Sequence, residues 1–329
     1  MYTGALENHP RLVERMARAR TLWGNHAETL CRIRDPVRLA AKLRTERLDY
    51  LEVARDPSVL SDGRSGASWL LKPRRSAGGT RIVFCHDRLP GQLIPRGYYL
   101  QRYADGLACS AVYVAAGRSS VLLGITRQII GAAWCGAGGF QYCGSIGPIE
   151  LPTTAVAAAT RLGEVLAARF NLCGLFGVDL VVNQQGVWPV EVNPRYTASC
   201  EILDMAGDGS LVARHVAACQ SGRLRDPGTA GSGTIHGKAV LFATRPTVIC
   251  DDLNDRPSLA TSTTIRDAPA RGTRIETGGP ILTLVTGGRD HDDVLLRLRA
   301  GANQVREALH TGSDDRKSSE ERPSTRRGR

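Results

Sequence analysis

Lysine is nearly missing from this 329-residue chain: of its 43 basic residues only Lys42, Lys72, Lys238 and Lys317 are not arginine. Aromatic residues are scarce as well, at 5%. That scarcity argues against a nucleic-acid-binding surface, which interleaves clustered basic residues with aromatics. The net charge of +11 reads instead as a solvated, arginine-rich exterior that would also suit a phosphorylated substrate. No apolar run approaches the roughly 20 residues that cross a bilayer. The first residues mix Glu7, Arg11, Glu14, Arg15 and Arg18 with apolar positions, so no secretory leader is read and the expected compartment is the cytoplasm. The nine cysteines include no CxxC pair and no Cys/His cluster at zinc-ligand spacing, which leaves reduced, mostly buried thiols. Cys200 is the one thiol that falls in a motif region, and it too reads first as buried.

Scarce lysine makes each retained lysine informative. Where any positive charge suffices, this sequence writes arginine; a kept lysine suggests a task for a compact three-donor ammonium rather than a planar fork. Lys42 lies in a predicted helix and Lys317 in a polar tail, whereas Lys72 and Lys238 sit at strand-like positions beside proline or glycine.

Along the chain, residues 1–60 read as a helix-rich segment, with Leu12, Met16 and Ala19 on one face and Asp35-Pro36 as an N-cap followed by proline at the first helical position. Short strands follow at Ser68–Lys72, Arg81–Cys85, Tyr98–Tyr103, Ala108–Ala115 and Val121–Arg127. Ala155, Ala159, Leu162 and Leu166 keep helical spacing within Thr153–Phe170. Two buried strands, Phe176–Val182 and Val187–Asn193, precede a helix at Leu211–Cys219. Gly228–Gly233 reads as a linker, 234–310 as a small β-rich segment closed by a helix at Asp292–Leu309, and 311–329 as a disordered tail without apolar residues to bury. The fold class is α+β.

Two common nucleotide motifs fail. A phosphate loop ending at Lys238 needs glycine where Ser232 stands and a hydroxyl where Ala239 stands. Dinucleotide fingerprints starting at Gly136 or Gly231 end on Gln141 and His236 instead of glycine. The strongest local signal lies elsewhere, in Gly177-Val-Asp-Leu-Val-Val182 and Trp188-Pro-Val-Glu-Val-Asn-Pro-Arg195. Glu191 and Asn193 share one face of a strand, leaving Val190 and Val192 to the core. If the turn is the three residues Gln184–Gly186, with Gly186 left-handed, Asp179 stands opposite Glu191. Two carboxylates and an amide oxygen then converge, a donor set for Mg²⁺ or Mn²⁺ carrying a polyphosphate. The bland alternative is a wet sheet face with Arg195 as an ion-pair partner. Two weaker signals precede it. Lys72-Pro73 runs into a small-residue loop, Ser76-Ala-Gly-Gly-Thr80, whose glycines would let N–H groups approach phosphate oxygens; alone, this is an ordinary hairpin turn. Tyr98–Tyr103, then Asp105-Gly106, could offer Gln101 to an adenine amino group and Asp105 to a ribose hydroxyl; alone, it is a buried strand.

The order of these parts, a Lys-Pro with a glycine loop, an adenine hinge and then Asp…Glu-x-Asn-Pro-Arg, resembles the ATP-grasp superfamily over residues 60–205. Within it the chain looks like the predicted ATP-dependent carboligases related to biotin carboxylase, through Gly4-Ala-Leu-Glu-Asn8, Tyr142–Pro148, Glu191–Ser199, Gly237–Val240 and Gly279–Thr283. Some members of that group occur beside genes for pterin-type one-carbon cofactors. The resemblance implies a two-lobed ATP-grasp domain over 61–225 and a truncated or missing α/β domain before it, of which 1–60 is the remnant and linker. It implies ATP and Mg²⁺ (or Mn²⁺) as cofactors, Lys72 on the phosphates, Gly78 and Gly79 in the loop over them, and Gln101, Arg102 and Tyr103 at adenine. Asp179, Glu191 and Asn193 would hold metal, and Arg195 would stabilise the transferring phosphoryl group. The implied activity is activation of a small-molecule carboxylate as an acyl phosphate for attack by an amine or related nucleophile. The rival reading is a degenerate member that binds nucleotide as a sensor or scaffold. Neither nucleic acid nor membrane is an expected partner, and a homodimer is left open.

Overall fold

Long stretches of alternating and apolar residues between Leu107 and Asn193 become the strands of one large sheet. The computed structural model describes residues 1–60, 68–85, 93–207, 209–224, 233–250 and 263–320, with 310–320 as backbone alone. Three helices come first, α1 (Pro10–Ala19), α2 (Ala27–Ile33) and α3 (Pro36–Thr45). A four-stranded sheet follows from β1 (Val53–Ala54), β2 (Trp69–Pro73), β3 (Val83–Phe84) and β4 (Tyr98–Arg102), in the order β1-β4-β2-β3. The central strands are β5 (Leu107–Ala116), β6 (Ser119–Ile130), β7 (Tyr142–Gly147), β8 (Gly174–Asn183) and β9 (Gly186–Asn193), with α4 (Thr153–Phe170) between β7 and β8. After them come α5 (Ala198–Ala206), α6 (Leu211–Ser221), β10 (Ile235–Phe242), β11 (Thr247–Val248), β12 (Thr264–Arg266), β13 (Arg274–Ile275), β14 (Pro280–Gly288) and α7 (His291–Glu320). The large sheet has eight strands in the order β12-β14-β10-β7-β6-β5-β8-β9, and all seven pairings are antiparallel.

Period two decides what each face of that sheet meets. Ala111, Tyr113, Val178, Leu180 and Val192 point to α4, whose Ala155, Ala159, Leu162 and Leu166 are all buried as their spacing requires. Each fully buried leucine there contributes roughly 1.5–3 kcal/mol. Gly163 is required at this contact, because a Cβ would lie 2.4 Å from the Tyr113 ring. Tyr113 stacks on Phe176 with centroids 4.8 Å apart and donates its hydroxyl to Ala159 O at 2.8 Å. On the opposite face Val112, Val114 and Leu175 are covered by α5 and α6. Ser110 and Asp179 share that second face further along, where the small sheet stands across a cleft.

The segment 234–310 is rich in strands, and its β10, β12 and β14 continue the large sheet, with α7 covering their far side through Val294, Leu298 and Ala302. The reason is the apolar alternation of Ala239, Leu241, Leu282 and Leu284, which needs a buried face and finds it under α7. In α1 the residue that packs is Val13, while Leu12 and Met16 are exposed, since α1 rests on α2 along a narrow contact. Helix α7 runs to Glu320, into the first part of the expected tail. Residues 228–232 of the expected linker and 321–329 of the tail lie outside the described residues. Asp35 caps α3 as read, accepting from Val37 N at 3.0 Å and Arg38 N at 3.2 Å. Among the described residues no helix is long and apolar enough to cross a membrane.

One buried histidine ties α6 to the sheet. His215 Nδ1 accepts from Leu175 N at 2.9 Å, which fixes the tautomer and leaves Nε2–H to face Trp23 O at 3.3 Å. Burial lowers its pKa below the ordinary 6.5. The folded state therefore binds this proton less readily than the unfolded chain, so its contribution is complete above about pH 6.5 and is lost as pH falls below it. We predict that the thermal midpoint drops between pH 7 and pH 5, and that His215→Gln shows a smaller drop over that interval. Parallel curves for the two proteins would refute the assignment.

Candidate functional site

The hairpin β8–β9 places the two acids. Asp179 pairs with Glu191 in the ladder, as expected, but by another route. The turn is two residues, not three: Asn183 pairs with Gly186, and Gly186 sits at φ +158°, outside the left-handed well. Asn183 Oδ1 explains this, since it accepts from Gln185 N at 2.9 Å, Gly186 N at 3.2 Å and Trp188 Nε1 at 3.1 Å, and so tightens the turn. The register then shifts by one between Asp179 and Leu180, where β9 carries an extra residue. That β-bulge restores the Asp179–Glu191 pairing and turns Val190 toward the cleft, where a core position was expected; only Val192 enters the core. Val190 O accepts from Gln101 Nε2 at 3.1 Å.

Opposite the hairpin, β2 and β4 supply Lys72 and Gln101, both buried. Lys72 Nζ donates to Gln101 Oε1 at 2.8 Å and lies 6.0 Å from the centre of the Tyr99 ring. Gln101 thus aims the ammonium and links the two lobes through Val190, rather than presenting its amide outward as a base-binding group. The glycine loop that follows Lys72 is docked against the large sheet. Gly78 O accepts from Tyr142 N at 3.0 Å, and at Gly79, whose φ is +72°, a Cβ would lie 1.8 Å from Phe140 O. A residue with a side chain has no room there.

Sequence reading missed the N-terminal contribution. Glu7, with 1% of its side chain exposed, forms an ion pair with Arg195 Nε at 2.9 Å. Asn8 donates from Nδ2 to Ser76 O at 3.1 Å and accepts at Oδ1 from Arg34 Nη2 at 3.3 Å. Arg34 Nη1 in turn reaches Glu191 Oε2 at 3.3 Å and Val192 O at 3.2 Å. Asp35 holds Arg74, at the start of the glycine loop, at 2.8 Å. A signal was present in the run Gly4–Asn8, where a glutamate and an asparagine stand together before the first helix, but nothing local says that Glu7 will meet Arg195 or Asn8 the carbonyl of Ser76.

Around these groups the cleft holds about 390 Å³. One end is apolar, lined by Leu51, Leu70, Ala108, Leu180 and Val181 beside Tyr103. Tyr103 packs edge-on to Phe84 at 5.1 Å. Arg102 also lines this end but is half exposed and reaches Glu52 at 3.7 Å; Asp105 is exposed on a neighbouring hollow behind the hinge and bonds Gly106 N at 2.9 Å. Asp105 is therefore not gathered with the rest. The other end is rich in hydroxyls: Tyr142 lies 2.9 Å from Ser145 Oγ, and Thr126 donates to Ser199 Oγ at 2.8 Å. Just beyond, Lys238 meets Glu201 at 2.6 Å. Cys200 is wholly buried and serves the α5 N-cap, accepting from Thr197 N at 3.3 Å, with burial pushing its thiol up.

The acids are unequal. Burial, then the neighbouring Glu191 charge, pushes Asp179 up to about 7. Burial acts the same way on Glu191, but the charges of Arg34, Lys72 and Arg195 outweigh it and hold that carboxyl below its ordinary range. Gln128 Nε2 and Asn193 Nδ2 donate to the two oxygens of Asp179 at 3.0 and 3.1 Å. Two facing, half-buried carboxylates that repel are a fit for a hard divalent cation, which removes the penalty of ionising both. Among the described residues no group of three His, Cys, Asp or Glu side chains gathers as a metal site, so a cation here would rest on Asp179, Glu191 and the Asn193 amide oxygen.

Comparison with known proteins agrees with this geometry. Residues 49–199 match the profile of the family described as the ATP-grasp domain. An uncharacterized protein of Methanocaldococcus jannaschii is 23% identical over 220 residues, 66% of this chain and 50% of that protein, so the chain spans about half the length of the curated relative it matches. Among solved structures, a biotin carboxylase–βγ-ATP complex from Campylobacter jejuni superposes with a TM-score of 0.70 at 11% identity, covering 90% of this chain and 72% of that one. An L-amino acid ligase from Bacillus licheniformis gives 0.65 at 12% identity, covering 88% and 75%. These likenesses show the fold: two lobes, α+β, of the ATP-grasp kind.

The docking of the glycine loop yields a local test. Gly78 also has positive φ, at +64°, but an added Cβ there meets nothing within 4 Å. Gly79→Ala must undock the loop from Phe140, whereas Gly78→Ala bears backbone strain alone. Undocking by about 1–2 kcal/mol raises the open population roughly 5–30-fold. Tryptic cleavage at Arg74, Arg75 and Arg81 is expected to accelerate by that factor in Gly79→Ala and much less in Gly78→Ala; equal rates would contradict it.

Proposed function

We propose that this chain, whose residues 49–199 form an ATP-grasp domain, is an ATP- and Mg-dependent ligase that activates a carboxylate as an acyl phosphate. The observation that carries the reading is one cleft in which Lys72 faces the Asp179–Glu191 pair, with Arg195 between that pair and the hydroxyl-rich end. Phosphoryl transfer asks little of a protein beyond placing charge and excluding water. Lys72 supplies a compact charge for the phosphates, fixed in direction by Gln101. Gly78 and Gly79 bring backbone N–H groups over the same space. The apolar end beside Tyr103 suits a planar base. A divalent cation, when bound, supplies charge neutralisation between phosphate oxygens.

The hydroxyl end then receives the acceptor. Arg195 is positioned to hold a carboxylate or the anionic acyl phosphate, with Ser199 at the start of α5 beside it. In the first step a carboxylate oxygen bonds to the terminal phosphorus as the bond to ADP breaks. In the second an amine nitrogen bonds to the acyl carbon, phosphate departs and the nitrogen loses a proton. Tyr142 and Ser199 line this end with hydroxyls, backed by the buried Ser145 and Thr126 to which they are bonded. A nucleotide-binding scaffold would use the first half of the cleft and leave this end idle.

Mg-ATP or Mg-ADP at about 100 times its dissociation constant should stabilise the fold by roughly 2.7 kcal/mol. Lys72→Ala should abolish most of the resulting rise in thermal midpoint, and Lys42→Ala, which alters a separate hollow beside Arg38 and Arg169, should preserve it. Absence of any shift in folded wild-type protein refutes nucleotide binding.

A second measurement separates ligase from scaffold. Carboxylates and amines, pterin-bearing one-carbon carriers included, are screened for ADP release. In the productive combination Glu191→Gln should lower turnover by about two or more orders of magnitude while keeping the fold, since the charge at the metal site is halved. Nucleotide binding without ADP release in any combination would favour the scaffold.

A further inference from the structure

Two pairs of thiols touch in this protein, and their surroundings differ. Cys135 and Cys143 share a hydrogen bond in the core between β7 and α7, both with no exposed surface, and Cys143 Sγ also donates to Ile129 O at 3.3 Å. Cys173 and Cys219 lie at the surface end of the α6–β8 contact, both part-exposed, with sulfurs 3.6 Å apart. We propose that Cys173 and Cys219 form a covalent modification site, a dithiol that closes to a disulfide by exchange with a low-molecular-weight disulfide such as glutathione disulfide.

Contact and access are both met. The sulfurs, 3.6 Å apart, need to approach by about 1.5 Å to bond. The backbone under Cys173 is held, because its N–H donates to Asn25 Oδ1 at 2.9 Å, and Asn25 Nδ2 donates to Pro194 O at 3.1 Å. Cys219 is held on α6, one turn after His215, whose Nε2 lies 3.7 Å from Cys219 Sγ. Because His215 Nδ1 is an acceptor, that Nε2 carries its proton and does not draw one from Cys219. Cys219 also sits in the last turn of α6, where the helix dipole disfavours a thiolate. The anion therefore forms on Cys173: sharing a hydrogen bond with Cys219 outweighs burial and brings its pKa down to about 7. A thiolate near neutral pH beside a resolving thiol is the arrangement that exchange requires.

The chemistry balances. The Cys173 thiolate bonds to one sulfur of glutathione disulfide, the S–S bond breaks, and one glutathione leaves as thiolate and takes a proton. Cys219 then gives up its proton and bonds to Cys173 sulfur, expelling the second glutathione. Two electrons pass from the protein dithiol to the small disulfide, which leaves as two thiols.

The test uses the full folded chain at pH 7.5 with glutathione disulfide, followed by iodoacetamide and peptide mass mapping. Cys31, which is exposed, has no thiol in hydrogen-bonding contact and reports on access. The expected product has two fewer alkylated thiols at Cys173 and Cys219, a cross-linked peptide joining them and no glutathione on either, while Cys135 and Cys143 stay reduced. Cys219→Ser should trap one glutathione on Cys173, and Cys173→Ser should leave Cys219 largely unmodified. If Cys173 and Cys219 both remain open to alkylation after Cys31 has taken up glutathione, the proposal is overturned. So too if Cys219→Ser collects no glutathione at Cys173. Neither result depends on nucleotide binding.

Discussion

Two carboxylates that cannot comfortably coexist organise this molecule. Asp179 and Glu191 face each other across one rung of a ladder, both half-buried in the wall of the cleft. Like charges so placed repel, and burial worsens the cost. The surrounding structure responds asymmetrically. Glu191 receives a guanidinium from Arg34 and faces the ammonium of Lys72 across the cleft; Asp179 receives neutral amides from Gln128 and Asn193. One acid is thereby held below its ordinary range and the other pushed up to about 7.

The guanidiniums that balance the site are themselves balanced from the N-terminal segment. Arg195 rests on Glu7 and Arg34 on Asn8, two consecutive residues. A buried ion pair of this sort adds little net stability, but losing one partner strands a charge and costs about 3–5 kcal/mol. The segment before the matched domain is thus bound into the site electrostatically, and Asn8 also fixes the glycine loop through Ser76 O.

Much of this was legible in the sequence because it is local. Period two put Glu191 beside Asn193, the helical spacing of Ala155 to Leu166 fixed α4, and the scarcity of lysine pointed to Lys72 and Lys238, both of which lie at or beside the cleft. Long-range partners were not legible. Nothing near Gln101 says that its amide will bridge Lys72 to Val190 O, and nothing near Glu7 says that Arg195 awaits it. The turn was misjudged for a subtler reason: the correct pairing of Asp179 with Glu191 has two solutions, a longer turn or a bulge, and period-two reasoning alone does not choose between them.

That choice carries a consequence for how such a chain can change length. In the present arrangement the two-residue turn and the extra residue at Val190 are complementary defects, each cancelling the frame error of the other at Asp179. Removing Val190 would leave the acids still opposed, at the expense of the carbonyl that Gln101 uses. Drawing Gly186 into the turn, with no residue inserted and the bulge kept, would instead bring Val192 opposite Asp179 and leave the glutamate at the bulge. A residue inserted between Asn183 and Gly186 is taken up by the turn, and one deleted at Val190 by the bulge, so neither alone separates the acids. When distant sequences are laid beside this one, single-residue gaps are expected at these two places, after Asn183 and before the glutamate, so that alignments forced to be gap-free here would misplace the acid that faces Asp179 by one position.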